Sequence, residues 1–167
     1  ETPSYYAPGS AYTVPGSVTL YALYTRHEGP EGVTYELCTA LPEELPGNYV
    51  ISSDATSSGY ILLNYNGSYN YNYDALVQIG SSGVSVSGTS MSSVSSDMVF
   101  TVQNSSDTGK YNILPYTING IYLADKSAGM GVNDLDNDST QWSFVYDNGK
   151  FFISSDSYDY MAIGLIT

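Results

Sequence analysis

The residues of this 167-residue chain best suited to chemistry are a run of oxygen ligands, a single histidine, a single cysteine and a tyrosine-rich segment. Asn133-Asp134-Leu135-Asp136-Asn137-Asp138 puts side-chain oxygens at alternating positions, the arrangement by which a tight loop wraps Ca²⁺. Asp134, Asp136 and Asp138 are therefore the candidate metal ligands, with Ca²⁺ as the candidate ion. The run departs from an EF-hand. Counted from Asp134, the sixth position is Ser139 where a glycine is required, and the twelfth is Val145 where a bidentate glutamate is required. A solvated turn is the competing reading, because a chain with 17 acidic and 4 basic residues produces acidic loops freely.

The second candidate is Tyr65-Asn66-Gly67-Ser68-Tyr69-Asn70-Tyr71-Asn72-Tyr73-Asp74. Tyrosine offers a large amphipathic contact area at low entropic cost, and asparagine adapts its hydrogen bonds, which is why binding loops favour both. Tyrosine rings also stack on sugars. Read as an exposed hairpin tip, the segment assigns ligand contact to Tyr65, Tyr69, Tyr71 and Tyr73. The loop Ser154 to Tyr160, with Tyr158 between aspartates, is the second choice. The competing reading is a strand from Tyr69 to Tyr73 with tyrosines inward and asparagines outward.

Catalytic groups are scarce. His27, in Arg26-His27-Glu28-Gly29-Pro30, has no oriented partner in sequence and reads as solvated. Cys38 ends the expected strand Val33 to Cys38 with no histidine beside it in sequence to activate a thiolate, and reads as a small buried residue. Glu43-Glu44, or Asp156 with Asp159, would serve a glycosidase only at a set separation across a cleft that a small β domain hardly provides. No glycine-rich phosphate loop or zinc-spaced Cys/His set occurs. The expectation is a non-enzyme.

The elements that must position these residues read as strands. Val18-Leu20-Ala22 alternates with Thr19-Tyr21-Leu23, and Tyr49-Ile51, Val84-Val86, Phe100-Val102, Tyr111-Ile113 and Phe152 continue the pattern between Gly, Asn, Asp and Ser clusters. The one helical signal is Leu41 to Leu45, between Pro42 and Pro46-Gly47. Phe100-Thr101-Val102, Lys110-Tyr111-Asn112-Ile113 and Tyr122-Leu123-Ala124 are echoed by Trp142-Ser143-Phe144, Lys150-Phe151-Phe152-Ile153 and Tyr160-Met161-Ala162, about 40 residues on. A fainter copy is Gly47-Asn48-Tyr49-Val50-Ile51 followed by Tyr60-Ile61-Leu62. Each unit is a hairpin that cannot bury its aromatics alone. The expected fold is all-β: a closed antiparallel barrel, trefoil-like with pseudo-repeats, with Trp142 inside. A Greek-key barrel or sandwich stays open.

A net charge of -13 repels phosphate backbones and anionic headgroups, which disfavours nucleic acid and bare membrane. No run approaches the roughly 20 apolar residues of a spanning helix. One cysteine rules out an internal disulfide and fits either a cytosolic protein or a secreted one that does not rely on disulfides, while Ser, Thr, Asn, Gly and Tyr dominate over the 13% of charged residues, a balance typical of exported bacterial adhesin modules.

Two resemblances add to this. Residues 5 to 24, with Tyr6-Ala7-Pro8-Gly9-Ser10, Tyr12-Thr13-Val14 and Val18-Thr19-Leu20-Tyr21-Ala22, resemble the C-terminal part of a Listeria-Bacteroides repeat, the β-grasp unit of internalin-type surface proteins. Leu23-Tyr24 stands where that family usually has a polar residue and Trp. From Tyr35-Glu36-Leu37 onward, through Leu45-Pro46-Gly47-Asn48-Tyr49-Val50-Ile51, Asp97-Met98-Val99-Phe100-Thr101-Val102 and Trp142-Ser143-Phe144, the chain is similar to a β-barrel module of large gut-bacterial surface proteins. The resemblance implies residues 1–26 as a remnant of a β-grasp repeat, 27–34 as a linker and 35–167 as the β-barrel module. It further implies an extracellular location on the bacterial surface, neighbouring domains of the same surface protein as partners, and a monomeric recognition module for a host glycan or glycoprotein, immunoglobulin included. A spacer in a multi-domain stalk, with no ligand of its own, is the alternative.

Overall fold

The computed structural model describes residues 22–29, 32–53, 56–63, 76–126, 129–133, 136–147, 149–155 and 157. Thirteen described strands run in chain order as β1 (Ala22–Gly29), β2 (Gly32–Leu37), β3 (Gly47–Ser52), β4 (Tyr60–Leu62), β5 (Leu76–Gln78), β6 (Ser85–Ser87), β7 (Ser90–Ser92), β8 (Val99–Asn104), β9 (Tyr111–Pro115), β10 (Tyr122–Lys126), β11 (Gly129–Asn133), β12 (Trp142–Asp147) and β13 (Lys150–Ser155). Short 3-10 turns, Ile79–Ser81, Ser96–Met98 and Asp138–Thr140, are the helical elements among the described residues. The turn expected at Leu41 to Leu45 is absent. There the Tyr49 hydroxyl donates to the Leu45 carbonyl at 2.7 Å, pinning an irregular chain whose Leu45 side chain enters the core.

Eleven strands form one antiparallel sheet in the order β13-β12-β9-β8-β3-β1-β2-β7-β6, with β4 branching from β3 and β5 from β4. β10 and β11 pair only with each other among the described strands. The path ends at β13 and β6, and no ladder joins those ends among the described residues, so the sheet is open where a closed trefoil-like barrel was expected.

The reason lies in the burial pattern. A barrel wall has one buried face, so one residue in two points to water. Here Tyr49, Val50 and Ile51 of β3 are buried in succession. Tyr49 and Ile51 join a cluster with Leu23, Phe100, Val102, Ile113, Trp142 and Phe151. Val50 joins a second cluster with Tyr24, Tyr35, Ile61, Met91 and Val99. Successive residues of β1 (Leu23, Tyr24), β4 (Ile61, Leu62) and β8 (Val99, Phe100) divide in the same way. The middle of the sheet thus carries a core on each face. Each fully buried aliphatic or aromatic side chain contributes about 1.5–3 kcal/mol, so neither face is dispensable.

The sequence echo survives as hairpins. β8 and β9 pair from Phe100 opposite Pro115 to Asn104 opposite Tyr111, and β12 and β13 from Trp142 opposite Ser155 to Asp147 opposite Lys150. The two hairpins meet where Trp142 lies opposite Tyr111. Trp142 is 2% exposed, as expected. Within the stretch 27–34, read as a linker, residues 27–29 and 32–34 are paired ends of β1 and β2, with His27 opposite Thr34 and Gly29 opposite Gly32. β1 also pairs with β3, so β1 and β2 belong to the main sheet. Residues 5–20, which carry most of the β-grasp resemblance, lie outside the described residues.

Candidate functional site

The acidic run brings its described members to a polar junction between the β8–β9 turn and the 3-10 turn Asp138–Thr140. Asn137 builds that turn: its side chain accepts from the Ser139 N–H at 3.0 Å, and its own N–H donates to Thr140 Oγ1 at 2.9 Å, a reciprocal cap. The cap holds Asp136 over the β8–β9 hairpin, where Oδ2 accepts from the Ser106 N–H at 2.8 Å and Oδ1 from Asn112 Nδ2 at 3.0 Å. The Gln141 amide lies 3.4 Å from the same Oδ1, and Asn112 Nδ2 also donates to the Thr140 carbonyl at 3.1 Å. Partial burial would push the Asp136 carboxyl up, but the hydrogen bonds from Asn112, Ser106 and Gln141 outweigh it and hold the group below the ordinary aspartate range.

This geometry joins two hairpins more readily than it wraps an ion. Both Asp136 oxygens face N–H donors, which a cation would have to displace. Asp138 opens the 3-10 turn and is exposed, and Asp134 lies outside the described residues. Among the described residues no three His, Cys, Asp or Glu side chains gather closely enough to hold a metal.

Tyr65, Tyr69, Tyr71, Tyr73 and Tyr158 lie outside the described residues, yet the strands flanking the first four are well defined. β4 and β5 pair antiparallel, Leu62 opposite Leu76 and Tyr60 opposite Gln78. The chain therefore departs after Leu62 and re-enters at Leu76 at one end of a hairpin. Ile61 and Leu62 anchor that hairpin in opposite cores. Three tyrosines of the described sheet, Tyr24, Tyr35 and Tyr49, are buried. Burial, with Cys38 and Tyr111 nearby, pushes the Tyr49 phenol up to about 12, so it stays a neutral donor. Cys38 is half-buried against the first core, and its N–H donates to the Leu23 carbonyl.

One group was missed by sequence reasoning. Asp125 in β10 is 1% exposed, and neither carboxylate oxygen lies in hydrogen-bonding geometry with a donor. Burial pushes its carboxyl up, the Ser155 hydroxyl offsetting part of the rise. The signal was legible in Tyr122-Leu123-Ala124-Asp125: period two places Asp125 in register with Leu123, which is buried. Next to it, Trp142 Nε1 donates to the Leu123 carbonyl at 3.0 Å.

Searches against protein-family models, curated proteins and solved structures returned no match. Among the described residues no helix is long and apolar enough to cross a membrane.

Proposed function

We propose that this chain is a non-catalytic recognition module of a bacterial cell-surface adhesin, and that it engages a host glycan or glycoprotein, immunoglobulin included, through the tyrosines between β4 and β5. The observation that carries this reading is the antiparallel pairing of β4 with β5, Leu62 opposite Leu76. The residues between Leu62 and Leu76 are rich in Tyr, Asn, Ser and Gly, and the strands that bound them are rooted in both cores. Such a composition on a rigid base is what a binding loop needs, since anchoring the ends lowers the ordering cost of association. The acidic balance and the scarcity of catalytic groups agree with it.

A spacer role is favoured by one observation, the burial of Tyr24, Tyr35 and Tyr49, which shows that tyrosine in this chain also serves packing. One experiment separates the two. Wild type and the Tyr69→Ser/Tyr71→Ser/Tyr73→Ser variant are screened on a glycan array and against serum and mucus glycoproteins. The recognition reading expects a partner for wild type and at least about tenfold weaker binding by the variant, a loss of about 1.4 kcal/mol, with the strand-type circular dichroism unchanged. Full-strength binding by the folded variant removes the segment from the interface. An unfolded variant assigns these tyrosines to the core.

A further inference from the structure

Among the described residues the ribbon of β10 and β11 shares no ladder with the eleven-stranded sheet. It docks by side-chain burial, Leu123 at 5% and Ala124 at 0% exposure, and by the hydrogen bond from the Trp142 indole to the Leu123 carbonyl. At this contact sits Asp125, buried to 1% exposure, with neither oxygen in hydrogen-bonding geometry among the described residues and only the Ser155 hydroxyl near enough to favour the charged form. An ionised carboxylate without donors costs several kcal/mol to keep from water, whereas the neutral acid costs far less.

The groups facing Asp125 do little to relieve that cost. Directly opposite in β11 is Met130, and β11 carries no titratable residue. β9 contributes Tyr111, and the 3-10 turn Asp138–Thr140 contributes Asp138, which is exposed and of the same charge. β13 brings the Ser155 hydroxyl, which also accepts from the Ser157 N–H, with Lys150 at the far end of that strand. β10 itself contains Tyr122 and Lys126.

We infer that the β10–β11 ribbon is an acid-held latch, docked on the sheet while Asp125 is neutral and released when Asp125 ionises. The sign follows from linkage. A carboxyl whose folded value is raised adds stability that is fully present below the unfolded value of about 3.9 and is lost as pH climbs through the folded value. The burial-driven rise at Asp125 sets that window above about 3.9. Release frees the indole N–H of Trp142 from its acceptor.

Trp142 is the only tryptophan, so its emission reads the latch directly. Emission and amide hydrogen exchange are followed from about pH 4 to about pH 8, with exchange corrected for its intrinsic pH dependence. In wild type, the emission should shift to longer wavelength as pH rises. The amides of β10 and β11 should lose about tenfold in protection while those of β8 and β9 keep theirs. Asp125→Asn, a neutral isostere, should remain docked throughout. Ser155→Ala removes a hydroxyl that favours the charged form and should move the midpoint to higher pH, which keeps the proposal testable if Asp125→Asn fails to fold. A flat wild-type profile, the same transition in Asp125→Asn, or suppression of the transition by added Ca²⁺, which would mark Asp125 as a cation ligand, each overturns it.

Discussion

At the scale of single residues, the two aspartates that define this molecule are perturbed in opposite directions by the same two forces. Asp125 is desolvated, the Ser155 hydroxyl offsets only part of that cost, and its carboxyl rises. Asp136 faces water on one side and N–H donors on the other, and its carboxyl falls. The Asp136 contribution is therefore present above the unfolded value of about 3.9 and disappears as pH falls through the lower folded value. Asp136→Asn replaces an acceptor with an amide that cannot receive both Asn112 and Ser106 equally well. The expected loss near pH 6 is on the order of 0.5–1 kcal/mol, kept small by solvent exposure, and it should shrink as pH falls through the lower folded value. Urea unfolding of both proteins across that range checks it; a loss that is constant with pH refutes the ionic account.

At the scale of elements, the hairpins are set by turn chemistry. β12 and β13 close with Asp147 opposite Lys150, so Asn148-Gly149 is a two-residue link, and Gly149 takes φ of 81°. Such links need backbone in the left-handed region, where a Cβ costs about 1–2 kcal/mol. A Cβ added at Gly149 would meet nothing within 4 Å, so the conformational cost stands alone. Gly149→Ala should lower unfolding free energy by about 1 kcal/mol without altering the denaturant slope. An unchanged midpoint would show that the turn relaxes freely. The edges are handled differently: β6 is three residues, Ser85–Ser87, too short to template pairing with another chain.

At the scale of the whole molecule, a core on each face makes a claim that a barrel does not. Val50 and Ile51 are neighbours on β3 and both are 0% exposed, each in a different cluster. Val50→Ser and Ile51→Ser should each destabilise by about 2 kcal/mol or more, since each leaves a cavity and a hydroxyl in apolar surroundings. A wall with one wet face would tolerate one of them almost without cost. Equilibrium unfolding of the two variants distinguishes these outcomes; near-neutrality of either removes its core.

The sequence by itself determined strand identity, the hairpin echo and the burial of Trp142, because period-two alternation and Asn-Gly turns act over a few residues. It also placed a cap-forming Asn before Asp138, although the oxygen run looked like a cation loop rather than a hydrogen-bonded junction. Only the tertiary structure decided that Asp136 meets donors from Ser106 and Asn112, some 30 and 24 residues away in the chain. It alone decided that no ladder closes the sheet among the described residues, and that Val50, which reads as an outward residue, is covered by a second layer. The physical reason is range: alternation states which residues share a face, but whether a face meets water or another layer depends on segments distant in sequence.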